Sequence, residues 1–137
     1  TDLAKQEIKV INQDILDEEA LIRLVDDHRI THLIHLAAQA GVRYSLDNPR
    51  AYTSSNIEGF LSILETCRKR PHLKLTYASS SSVYGNKAET PFSEKDRTDN
   101  QESLYGVTKK ANELMAKSYN NLFKIPVTGL RFFTVYG

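Results

Sequence analysis

The chain has 137 residues, enough for one domain with a real core, and its 40% hydrophobic and 26% charged residues are ordinary for a soluble globular fold. A net charge of +1 gives no electrostatic case for nucleic acid or an anionic membrane, and no apolar run approaches the roughly 20 residues of a membrane-spanning helix. The single cysteine, Cys67, excludes an internal disulfide and fits a reducing cytoplasm, and its helical context reads as buried core. No signal-peptide pattern is visible.

Residues 1–6 are polar and read as the tail of a helix. Residues 8–11 read as a short strand ending at Asn12, Gln13 and Asp14. A carboxylate just past a strand end can accept from a nucleotide base or cap the next helix, and the residues alone leave both open. Residues 17–27 carry Ala20, Leu21, Leu24 and Val25 at helical spacing. Residues 31–38 are a nearly continuous apolar run, the pattern of a strand buried on both faces of a parallel sheet. His32 and His35 lie in it without Cys or acidic partners at ligand spacing, so no metal site is expected. Ala37, Ala38 and Gly41 are small residues at its end, where a flat ligand could approach the backbone.

Residues 41–48 read as a loop holding Arg43 and Tyr44. Pro49 suits the first turn of a helix over 51–70, with Ile57, Leu61, Leu64 and Cys67 in one stripe and Asn56 interrupting it. Arg68, Lys69 and Arg70 close that helix, as the helix dipole favours. Leu75, Thr76 and Tyr77 form a β-rich run that ends in four consecutive serines, Ser79 to Ser82. A polar excursion over 85–101 follows; surface loops of this kind often wall active sites. The last helix spans 105–122, with Val107, Ala111, Leu114, Met115 and Tyr119 as its apolar stripe, and the last strand spans 127–135.

Tyr105 and Lys109 lie one helical turn apart. A serine at a strand end, a tyrosine and a lysine make a proton-transfer constellation, because a phenol can act as acid or base and a nearby ammonium favours the phenolate. Tyr-x-x-x-Lys alone is a weak signal, and a serine run alone usually marks a loop. Their order, after a strand and opening a helix, carries the weight. Alternating strands and helices imply an α/β fold with a parallel sheet, right-handed crossovers and ligands at the strands' carboxyl ends. Asp14, Ala37, Ser80 and Thr134 all fall at such ends.

Tyr77-Ala-Ser-Ser-Ser-Ser-Val-Tyr-Gly85 with Tyr105-Gly-x-x-Lys109 resembles the extended short-chain dehydrogenase/reductase family, in its nucleotide-sugar epimerase/dehydratase branch. Asp14-Ile15, His35-Leu-Ala-Ala-Gln-Ala-Gly41, Asn56-Ile-Glu-Gly59 and Leu130-Arg-Phe-Phe-Thr-Val-Tyr-Gly137 extend the resemblance along nearly the whole chain. Gly41-Val-Arg-Tyr-Ser45 and Arg131-Phe-Phe-Thr134 are similar to the UDP-glucuronate 4-epimerase subgroup in particular.

The resemblance implies a Rossmann-like, doubly wound parallel sheet, partial here, with residues 1–137 as one incomplete NAD(P)-binding domain. The six glycines contain no Gly-x-Gly-x-x-Gly or Gly-x-x-Gly-x-x-Gly. By resemblance that pyrophosphate loop precedes Thr1 and the substrate domain lies mostly after Gly137, so the chain alone is expected to be inactive. The implied cofactor is NAD, held by Asp14, Ile15, Leu36, Ala37, Ala38, Gln39, Asn56, Ala78, Ser79, Tyr105, Lys109 and Phe132. The implied catalytic residues are Ser80, Tyr105 and Lys109. Arg43, Ser80, Ser81, Ser82, Tyr105 and Thr134 would address a nucleotide-sugar substrate. The expected reaction is epimerisation at C4 of UDP-glucuronate through a 4-keto sugar, in a cytoplasmic enzyme that forms a homodimer at full length.

The family's dehydratases place Asp-Glu after the catalytic Ser/Thr, and its decarboxylases carry a Glu in that segment. Here Ser81 and Ser82 follow Ser80, which speaks against both. A non-catalytic nucleotide-binding module on the same fold remains the alternative of a different class.

Overall fold

A computed structural model of the chain describes residues 8–87 and 89–134. Helix α1, Glu18–Asp27, begins where the Asp17 carboxylate accepts from the Ala20 N–H at 3.0 Å, with Glu18 and Glu19 in the first turn. It buries Ala20 and Val25, and the chain reverses past it through Arg29 in the left-handed region. Strand β1, His32–His35, follows. The expected loop over 41–48 contains a short helix, α2, Tyr44–Asp47.

Next comes one long helical rod in three parts: α3, Pro49–Tyr52; a π-helical segment, Thr53–Glu58; and α4, Gly59–Lys69. Strand β2, Lys74–Ser80, runs into a 3-10 turn, Ser81–Tyr84. Helix α5, Leu104–Phe123, starts on the Ser103 hydroxyl, which accepts from the Gly106 N–H, and ends at Lys124 in the left-handed region. Strand β3, Val127–Phe132, completes a parallel sheet of order β1-β2-β3. Ile34 pairs with Thr76, and Ser80 with Phe132.

Consecutive parallel strands joined by right-handed crossovers put their connecting helices on one face. Leu75 and Tyr77 of β2 accordingly pack with Phe60, Ile63, Leu64, Ala116 and Ile125 in a single core. The α/β class and the Rossmann-like parallel sheet stand. Two strand readings do not. Residues 8–11 form no strand among the described residues, with Ile8 85% and Val10 88% exposed, because a strand needs a ladder partner as well as an apolar sequence. Strand β1 is not buried on both faces: His35 points inward, whereas Ile34 is 69% exposed on the side the helices leave open.

The helix stripes shift as well. On α5 the buried residues are Gly106, Thr108, Lys109, Asn112 and Ala116, whereas the expected Val107 and Leu114 are exposed. On α4, Phe60, Ile63, Leu64, Thr66 and Cys67 are buried while Leu61 faces out. The residues of 1–6, and Val135 at the end of the last expected strand, lie outside the described residues.

Candidate active site

Strand β2 delivers Ser80 to its carboxyl end. The Ser80 hydroxyl accepts from the Ser82 N–H at 3.1 Å, which starts the 3-10 turn. The first turn of α5 sits directly on this turn. A Cβ at Gly106 would lie 2.8 Å from the Ser82 carbonyl oxygen, so glycine there permits the close approach of the first turn of α5 to the serine turn.

Lys109, one turn on, is 3% exposed and donates from Nζ to the Ala78 carbonyl at 2.8 Å. An ammonium carries three protons, so two remain for a ligand. Burial pulls the Lys109 ammonium down to about 8. His35 stacks on Phe60 with ring centroids 5.5 Å apart. Burial first, and the Lys109 charge second, hold it neutral down to about 4.

The loop after β1 is tied to this helix twice. Asn56, from the π-helical segment, accepts at Oδ1 from the Gln39 N–H (2.8 Å) and donates from Nδ2 to the Gln39 carbonyl and the Thr108 hydroxyl, each at 3.0 Å. Tyr52 places its hydroxyl 2.8 Å from the Ala40 carbonyl, and its ring meets Tyr105 edge-on with centroids 6.3 Å apart. Ala37, Ala38 and Gln39 thus present a short stretch of small side chains and backbone, close in sequence to a rigid anchor. Its chemistry, and the spare protons of Lys109, suit a flat nucleotide with a ribose.

The other expected residues are spread unevenly. Asp14 is exposed, and its Oδ1 accepts from the Leu16 N–H at 2.9 Å; the helix cap itself is Asp17. Ile15 is half-buried, with its side chain over Gly59. Leu36 is exposed. Ser81 and Ser82 are half-buried in the 3-10 turn, and Phe132 lies beside Ser80 in the ladder. Arg43 at the start of α2 and Thr134 past β3 are exposed.

Ser79 points the other way, as strand alternation requires. Its hydroxyl donates to Glu113 of α5 at 2.7 Å, leaving its backbone for any ligand. Glu113 also holds Arg131 of β3 through both oxygens, at 2.8 and 2.9 Å. Burial would raise the Glu113 carboxyl, but hydrogen bonds from Arg131 and Ser79 outweigh it and hold it below its usual range. A cleft of 680 Å³ opens on that side, lined by Tyr84, Phe92, Glu113, Arg131 and Phe133 among others, but by none of Ser80, Tyr105 and Lys109. That cleft therefore does not single out the expected catalytic residues, which lie at the carboxyl end of β2 and the start of α5.

Sequence reasoning missed Tyr52, Thr108, Asn112 and the Glu113–Arg131 pair. A signal existed for two of them. Thr108, Asn112 and Ala116 are spaced four apart, so the polar pair shares a helix face with a small core residue.

Residues 1–137 match the sequence profile described as GDP-mannose 4,6 dehydratase. The chain belongs to this family. Over 136 residues it is 51% identical to UDP-glucuronate 4-epimerase 3 of Arabidopsis thaliana, covering 98% of this chain and 32% of the relative. Among solved structures it resembles the UDP-glucuronic acid 4-epimerase of Bacillus cereus in complex with UDP-glucuronic acid and NAD. That likeness has a TM-score of 0.81 and 40% identity, over 93% of this chain and 39% of the other. The UDP-glucose 4-epimerase of Brucella ovis in complex with NAD gives a TM-score of 0.85 at 30% identity, over 90% and 38%. The chain thus spans about a third of the length of the relatives it matches.

Proposed function

We propose that the chain carries the catalytic part of an NAD-dependent epimerase that inverts C4 of a nucleotide sugar, with UDP-glucuronate as substrate. The observation that carries the reading is the seating of the Tyr105–Lys109 turn on the serine turn, with buried Lys109 donating to Ala78. Identity of 51% to a UDP-glucuronate 4-epimerase supports the choice of sugar.

Tyr105 takes the proton of the C4 hydroxyl and later returns it. Ser80 hydrogen-bonds the same oxygen as it becomes a carbonyl. Lys109 binds the ribose beside the nicotinamide with the protons Ala78 leaves free, and its charge favours the phenolate. Bound NAD supplies a reversible hydride acceptor at C4. The 4-keto sugar turns over in the site before the proton and hydride return, so no net oxidation occurs. Asp14 and Ile15 flank the adenine, and Leu36 to Gln39, Ala78, the Ser79 backbone and Phe132 complete the cofactor wall, with buried Asn56 ordering the Gln39 loop behind it. Ser81, Ser82, Thr134 and Arg43 address the sugar and its carboxylate. Residues 1–137 act as an incomplete nucleotide-binding domain of a cytoplasmic protein. No helix among the described residues is long and apolar enough to cross a membrane.

In the full reading frame that encodes this chain, Tyr105→Phe removes the proton carrier while keeping the ring. Turnover of UDP-glucuronate to UDP-galacturonate should fall by about 10³-fold with the folded state intact. Near-wild-type turnover would remove Tyr105 from the mechanism. The family's dehydratase name keeps 4,6-dehydration as a second reading. A 4-keto-6-deoxy product from a nucleotide hexose that carries a 6-hydroxyl would favour it.

A further inference from the structure

The geometry points to Thr108 and Asn112 as positioning residues that fasten the Tyr105 turn of α5 to the Gln39 loop through Asn56. The inference rests on Tyr105 being the proton-transfer group.

Counting protons gives the network a single arrangement. Asn56, Thr108 and Asn112 are each 1–2% exposed, so every polar atom needs a partner from the protein. The Gln39 N–H can only donate, so Asn56 Oδ1 must face it. The two Nδ2 protons of Asn56 then go to the Gln39 carbonyl and to the Thr108 oxygen. With a lone pair of Thr108 so used, its single proton goes to the Tyr105 carbonyl, at 2.8 Å. Asn112 Nδ2 donates to the Asn56 carbonyl at 2.6 Å. Both Nδ2 protons of Asn56, the Thr108 hydroxyl proton and one Nδ2 proton of Asn112 thus have an acceptor, and the chain of bonds runs from the backbone of Tyr105 to the backbone of Gln39.

Adhesion between the helices does not need this. Apolar side chains of the same size would hold α5 against the rod at no cost in desolvation. What apolar packing leaves loose is sliding along the helix axis, and directional bonds remove that freedom. The π-helical segment has the same effect: its wider turn carries Asn56, which meets both the loop and α5. The ring of Tyr105 has its own brace. Tyr52, whose hydroxyl lies between the Ala40 and Gly41 carbonyls, packs edge-on against it. Backbone and ring of Tyr105 are therefore both referred to residues 39–41, at the end of the stretch proposed to face the cofactor. Taking a proton from the C4 hydroxyl and a hydride from C4 itself requires that the phenol and the cofactor keep a fixed separation, and a misplacement of about 1 Å costs on the order of 10²-fold.

The test uses the full-length enzyme with NAD, comparing Thr108→Val, which keeps the shape and loses the hydroxyl, with Thr108→Ser, which keeps the hydroxyl. Amide hydrogen exchange at Gln39 reads the fastening without reference to turnover. Thr108→Val should raise that rate about tenfold or more while the β2 amides stay protected. It should lower kcat by about 10- to 100-fold with the KM for the nucleotide sugar within about threefold. Thr108→Ser should restore both to within about threefold of wild type. Asn112→Leu should follow Thr108→Val in direction.

An unchanged Gln39 rate, a kcat near wild type in Thr108→Val, or a loss that serine does not rescue would each overturn the inference. So would exchange that rises evenly through β2, which would mean a purely structural role. If the wild-type enzyme turns over no nucleotide sugar, the reading of Tyr105 fails, and the Gln39 exchange still decides the fastening.

Discussion

Lys109 is 3% exposed, and burial brings its ammonium from 10.5 down to about 8. Between those values the unfolded chain binds more protons than the folded one, so this group makes stability rise with pH across that window. Below about pH 8 both states are protonated and the full cost of burying the charge, about 3 kcal/mol, is present. Lys109→Met should therefore raise the urea midpoint at pH 7 and flatten the rise between pH 8 and 10.5. The gain should be less than about 3 kcal/mol, because the Ala78 carbonyl loses its donor. The same variant should lose turnover at full length. A lower midpoint at pH 7 would mean that the ammonium is better satisfied in the fold than its burial implies.

Elements are placed here by a few close approaches. Gly85 ends the 3-10 turn with φ +62, and a Cβ on it would lie only 1.8 Å from the Asn100 carbonyl oxygen. That carbonyl belongs to the excursion over 85–101, which Gln101 also ties down by donating to the Val83 carbonyl at 3.0 Å. Gly85→Ala should thus cost about 3 kcal/mol or more, from strained backbone plus displaced chain. Urea denaturation measures it. A loss below about 1 kcal/mol would show that the excursion yields easily. Because the turn starts on Ser80, turnover should fall as well.

At the scale of the molecule, the helical layer has an outer face of its own. Val107, Leu114 and Leu122 are exposed along one stripe of α5, and Leu61 is exposed on α4. Phe60 and Ile63, apolar positions beyond the narrow stripe read for the second helix, are core residues, and so cannot serve such a contact. The proposed homodimer would pack this stripe against its copy. Leu114→Glu with Leu122→Glu should turn a full-length dimer into a monomer in sedimentation at micromolar concentration, with the fold retained. A wild-type protein that sediments as a monomer at high micromolar concentration would remove the proposal.

From β1 onward the alternation of strands and helices, and the helix starts near Glu18 and Leu104, were legible in the sequence. These are local properties: spacing, caps and punctuation act within a few residues of themselves. Which face each element buries was decided by tertiary structure. Strand β1 reads as doubly buried, yet helices on one side leave Ile34 in water, because burial belongs to the neighbouring layer and not to the strand. Helix α5 turns Thr108, Lys109 and Asn112 inward in place of Val107 and Leu114, because hydrogen-bond partners from the π-helical segment and β2 satisfy them there. Ser79 and Ser80 are adjacent in sequence and identical in chemistry. Strand alternation alone sends one to Glu113 and the other to the proposed site, and only the register against β3 and α5 settles which goes where.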